Sequence, residues 1–184
     1  MKNRSLGLLV LLVMMLGTAV VSARTTNDEA EVRGVVERVF QQLKGRDYGA
    51  LYDVLPSNSQ SRVTRERFTS MLARTSDTYD LDRMEIGKVR TSGDVAVVDT
   101  VMYGRIRRPI ESDAKLVVQQ YLVRESGRWR VATGDRATVR RFLNSNPSFA
   151  KQFPIREPRA YIKRDGKWVD ISSIVRSAAR RRAG

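Results

Sequence analysis

The sequence predicts an α+β domain, with helices first and an antiparallel sheet after them. Two observations carry this. Apolar residues recur at three- and four-residue steps from Val32 to Leu72, then give way to β-branched runs bounded by tight-turn pairs from Leu81 to Ala132. Helical and extended stretches that do not alternate lay their helices on one face of an antiparallel sheet.

In chain order, Lys2 and Arg4 precede an uncharged stretch, Ser5 to Ala23, whose apolar part is Leu6 to Val21 and which ends in the small residues Val21-Ser22-Ala23. A cationic head, an apolar helix and a small-residue site make a secretory signal, so 1–23 reads as a signal peptide cut near Ala23. The alternative is an uncleaved inner-membrane anchor over 5–23, because 19 uncharged residues approach the roughly 20 needed to span a bilayer. Both readings place the rest outside the cytoplasm. It would be periplasmic or secreted in the first case and tethered in the second.

Thr26-Asn27-Asp28-Glu29 has the form of a capping box. Behind it Val32, Val35, Val36, Val39, Phe40 and Leu43 mark one face of a helix that ends at Lys44-Gly45. A short helix carries Tyr48, Leu51, Tyr52 and Leu55 and stops at Pro56. A polar connection over Ser57 to Ser61 leads to a third helix, capped by Thr64, with Phe68, Met71 and Leu72 on one side. Strands follow over Leu81 to Arg90, Val95 to Ile106, Lys115 to Arg124 and Trp129 to Ala132, joined at Gly93-Asp94, Arg108-Pro109 and Ser126-Gly127. Then come a helix through Val139, Phe142 and Leu143 to a break at Asn144-Ser145-Asn146-Pro147, a hairpin turning at Asp165-Gly166, and a last helix from about Ser173. Trp129 and Trp168 each follow a turn, where an indole staples its hairpin to the core. Both parities of Val95–Tyr103 are largely apolar, so the second sheet face needs a cover, either the C-terminal segment or a second copy in a homodimer.

Without 1–23, about 160 residues remain, the size of one domain. The 184-residue chain has no cysteine and no histidine. That excludes disulfides, Ser-His-Asp and Cys-His nucleophiles, and zinc sites made of His or Cys. No carboxylates have calcium-loop spacing, and no metal or cofactor is expected. The net charge of +14 is uneven: 24–135 holds 19 Lys/Arg against 17 Asp/Glu, and 136–184 holds 13 against 3. The basic segment is either a solvated tail or a patch for an anionic membrane or envelope polymer, with Arg176, Arg180, Arg181 and Arg182 as its cations. Export argues against nucleic acid. The division is therefore 1–23 signal, 24–135 main domain and 136–184 basic extension.

Three stretches resemble the nuclear-transport-factor-2-like superfamily, the cone-shaped fold shared with SnoaL-like cyclases and ketosteroid isomerase. They are Gly45-Arg46-Asp47-Tyr48-Gly49-Ala50-Leu51-Tyr52 after the long helix, Gly93-Asp94-Val95-Ala96-Val97-Val98, and the hairpin Tyr121 to Val131. The resemblance covers about 27–135. It implies a bent sheet wrapped around a long helix with an apolar pocket open at one end, and it implies no activity.

Enzymes resembling ketosteroid isomerase use an Asp base with Tyr and a protonated Asp as oxyanion donors. Asp99 and Tyr103 share one strand face, and Tyr121 on the neighbouring strand is a third candidate. The competing expectation is that Asp99 pairs with an arginine and both tyrosines are core rings. Arg105, Arg107 and Arg108 at a strand end are candidates to grip a phosphate or carboxylate, or else form a solvated margin. The expectation is a non-catalytic exported module that binds a small apolar ligand or a protein partner. The alternatives are an isomerase or dehydratase centred on Asp99 and a tyrosine, and a membrane-attached assembly scaffold.

Overall fold

The computed structural model describes residues 27–108, 111–132 and 136–183, with backbone alone for 136–138 and 178–183. The expected cap at Thr26 and the signal or anchor segment lie outside these residues. No helix among the described residues is long and apolar enough to cross a membrane.

Helix α1 (27–44) is followed by α2 (Tyr48–Asp53), α3 (Ser57–Gln60) and α4 (Arg65–Ala73). Asp47 caps α2 and Thr64 caps α4, through side-chain oxygens that accept from Ala50 N and Arg67 N. The stretch expected as a polar connection is helical: Pro56 presets its start, and Ser57 N and Oγ donate to Glu125 Oε2 at 2.9 and 2.7 Å. A contact so distant in sequence is invisible to local pattern. Next come β1 (Tyr79–Ser92), β2 (Val95–Ile106), β3 (Ser112–Glu125) and β4 (Arg128–Val131). Helices α5 (Arg136–Ser145) and α6 (Pro147–Gln152), strands β5 (Arg159–Arg164) and β6 (Lys167–Asp170), and α7 (Ser172–Ala183) complete the chain. Pro147 ends α5 as expected and also starts α6, because its fixed φ suits a first helical turn.

The fold is α+β, with a six-stranded antiparallel sheet in the order β1-β2-β3-β5-β6 that does not close. β3 pairs with the whole length of β2 and divides its other edge between β5 (Ala114–Val117) and β4 (Leu122–Glu125). The C-terminal hairpin thus continues the main sheet. Its turn residues Asp165 and Gly166 have φ of 48° and 75°, as the Asp-Gly signal requires.

β1 is bent by two register shifts, at Leu81/Arg83 and Ile86/Val89. At each shift α1 donates side-chain hydrogen bonds to β1 carbonyls. Lys44 Nζ donates to Asp82 O at 2.5 Å, and Arg33 donates to Ile86 O and Gly87 O, both at 3.3 Å. Gly104 permits the first bend, since a Cβ there would stand 2.2 Å from Asp80 O.

The inner sheet face packs Val89, Ala96, Val98, Leu122 and Trp129 against Val32, Val35 and Val36 of α1. The outer face packs Val95, Val97 and Tyr121 against Val139, Phe142 and Leu143 of α5 and Phe149 of α6. The C-terminal segment therefore covers one end of the second apolar parity. Val117, farther along, stays 36% exposed.

Candidate functional site

A cavity of about 750 Å³ lies between the helices and the inner sheet face. Small-molecule sites typically measure about 300–1,000 Å³. It exists because the helices meet the sheet fully at one end only. Val32 and Val35 close on Val98 and Leu122, whereas Val36, Val39, Phe40 and Leu43 of the same α1 stripe border open space. Leu51 and Val54 of α2, Phe68 and Leu72 of α4, and Met84 and Met102 of the sheet form the other walls. Flexible thioethers suit a wall that adapts to its contents.

The outer wall is tied by polar contacts behind it. Tyr52 Oη donates to Gln60 O at 3.1 Å and to Val63 O at 3.0 Å, and Gln60 Nε2 donates back to Tyr52 O at 2.9 Å. Arg65 joins α4 to α2 through Gly49 O at 2.9 Å and the Asp53 carboxylate at 2.5 Å. Ser59, Arg62 and Gln120 are the polar residues among the lining. Gln120 Nε2 donates to Thr100 Oγ1 at 3.3 Å, and that hydroxyl donates to Val118 O at 2.9 Å.

Asp99 lies on the opposite side of the sheet. It shares parity with Val97, which packs under α5, while Val98 and Met102 face α1 and the cavity. Its Oδ2 accepts from Arg90 Nη2 at 2.7 Å, its Oδ1 accepts from Gln119 Nε2 at 3.4 Å, and Arg156 Nη1 stands 4.0 Å away. The Arg90 hydrogen bond holds the Asp99 carboxyl below its ordinary range. Such a group is a committed anion, the reverse of a protonated oxyanion donor. Tyr121 joins it through Gln119, whose Oε1 accepts from Tyr121 Oη and from Arg156 N, both at 2.8 Å. Burial, with the Asp99 charge second, pushes the Tyr121 hydroxyl up to about 12. This network clamps the connector before β5 to the sheet, and it contains the arginine pairing that the sequence left open.

Tyr103 is not brought to it. Its hydroxyl donates to Glu85 Oε2 at 3.2 Å, and its ring lies 3.7 Å from the Arg83 guanidinium carbon and 6.4 Å from the Trp168 ring. Trp168 differs from the expected staple. Trp129 is 5% exposed and Trp168 39%, and β6 is the edge strand of the sheet. Arg105 pairs with Glu111 at 3.0 Å and Arg107 with Asp80 at 2.5 Å, so these two serve local ion pairs; Arg108 is exposed. Arg176 is exposed on α7, and Arg180, Arg181 and Arg182 follow on that helix, their side chains outside the described residues.

Sequence reasoning missed Met84 and Gln120 as cavity residues and Arg90, Gln119 and Arg156 as partners of Asp99. Strand parity was the signal that could have found Gln120, a polar residue in step with Val118 and Leu122. Among the described residues, no group of three or more acidic, His or Cys side chains is placed to hold a metal. No protein-family model matches the chain, and no curated protein matches it in sequence.

Proposed function

We propose that the chain is an exported, non-catalytic module of the nuclear-transport-factor-2-like kind that binds a small apolar ligand between its helices and its sheet. The cavity carries this reading. Its volume suits one small molecule, its walls are aliphatic, thioether and aromatic, and Gln120 offers a single amide for orienting a polar group. Against the isomerase alternative, Asp99 stands behind the sheet and is engaged by Arg90. The reading of export rests on the signal-like 1–23 and is tested by the mass of the protein recovered from its host. A species starting at Arg24 supports it, and retention of 1–23 converts the module into a tethered one.

Binding is tested with 1-N-phenylnaphthylamine, an uncharged dye that fluoresces in apolar surroundings. Saturable one-to-one binding, displaced by long-chain alcohols, is expected. Met84→Trp, which fills the cavity from the sheet side, should weaken it at least tenfold without loss of thermal stability. Absence of saturable binding, or a Met84→Trp variant with unchanged affinity, would end the proposal.

A further inference from the structure

The closing helix is fastened to the sheet and still presents apolar side chains to water. Ser172 makes the fastening. Its amide and hydroxyl donate to Asp170 Oδ1 at 2.8 and 2.5 Å, and its Oγ accepts from Ala160 N at 3.0 Å. Ile171 N donates to Ala160 O at 2.9 Å, and Ser172 is buried. The first turn of α7 is therefore fixed beside β5 and does not trail as a free tail. From that base Ile174 is 63% and Val175 47% exposed, and Val169 on β6 is 40% exposed.

These side chains sit in the most basic part of the chain, where 159–184 holds eight Lys/Arg against two Asp. An apolar groove on a soluble partner needs no such charge. Exposed aliphatic groups on a short helix, in a stretch of sequence with an excess of arginine, match the boundary between headgroups and acyl chains of an anionic bilayer. We infer that α7 is a membrane-surface helix. Val169, Ile174 and Val175 enter the interface of an anionic phospholipid layer, and the charge of Arg176 and Arg180–Arg182 draws the helix to the headgroup phosphates. The inference is independent of what the cavity holds.

The absence of native cysteine provides the test. Full-length protein carrying Ile174→Cys, labelled with an environment-sensitive fluorophore, is mixed with vesicles of phosphatidylglycerol and phosphatidylcholine in equal parts, with phosphatidylcholine vesicles, with soluble polyphosphate and with inorganic phosphate. A blue shift is expected on the anionic vesicles alone, with none from a label at Lys88→Cys on β1. Replacing Arg180, Arg181 and Arg182 together by Ala should lower partitioning on the order of a hundredfold, about fivefold per charge removed. A label at 174 that stays unshifted on anionic vesicles, or shifts equally on neutral ones, overturns the assignment. So does a shift with polyphosphate or phosphate alone, which would make the surface a polyanion site.

Discussion

The two faces of one sheet are finished in opposite ways. Inside, α1 reaches the sheet along half its length and then leaves a cavity walled by flexible side chains. Outside, Phe142, Phe149 and Phe153 pack ring on ring at 5.9 and 4.9 Å, and a closed polar network ends the apolar patch. Both faces begin from the same kind of residue, since Val98 and Val97 are each fully buried. What differs is the covering element. Long α1 meets the sheet fully at one end only, whereas α5 and α6 are short and settle onto the strands. The lesson is that an apolar strand parity predicts a cover without saying whether the cover is packed or hollow.

The largest expected effect sets the packed end of the inner face against its hollow end. Leu122→Ala, at a fully buried site, should cost about 3 kcal/mol of unfolding free energy. Leu72→Ala on the cavity wall should cost only about 1 kcal/mol, because that side chain already borders open space. Urea denaturation of both variants checks this, and equal losses would mean that the cavity is filled or collapsed in solution.

Next comes the outer clamp. Asp99→Asn leaves the half-buried Arg90 guanidinium without its counter-ion and should cost about 2 kcal/mol. It should also raise hydrogen exchange in the connector before β5. The same pair sets an acid limit. The Asp99 carboxyl is depressed in the folded state, so its contribution is complete above the unfolded value near 4 and is lost as pH falls through the folded value. Tyr121 sets an alkaline limit. The unfolded phenol ionises from about pH 10 while the folded one holds its proton to about 12, so stability should fall across that interval, and Tyr121→Phe should remove this fall. Denaturation midpoints against pH, for wild type and both variants, measure each arm.

The smallest effect concerns α7. Asp170→Ala removes the acceptor that seats this helix, and a lost cap costs about 1 kcal/mol. Faster amide exchange is expected in α7 alone, with the global midpoint nearly unchanged.

Much of this was legible in the sequence. The α1 stripe, the cap at Thr64, the turns at Gly93, Gly127 and Gly166, and the strand order β1 to β4 all follow from contacts within a few residues, whereas the cap at Asp47 was not read. The covering of the second face by the C-terminal segment was one of two readings open from parity. The partners of Asp99 were not legible, because Arg90, Gln119 and Arg156 come from a bulged strand, the neighbouring strand and a connector. A pocket was expected only through the family resemblance, and periodicity could not place it, since the same apolar residue serves a solid wall and a hollow one. α3 was missed because its anchor, Glu125, is far along the chain.

The sequence by itself determined the fold class, the absence of histidine and cysteine chemistry, and the concentration of positive charge in the last third. Those properties reside in composition and short-range periodicity. Tertiary structure alone decided that Asp99 and the cavity lie on opposite sides of the sheet, that Trp168 stays at an open edge, and that α7 is seated by Ser172. Each of these depends on which distant backbone comes within hydrogen-bonding or packing distance, and bulges and edge pairing set that in three dimensions.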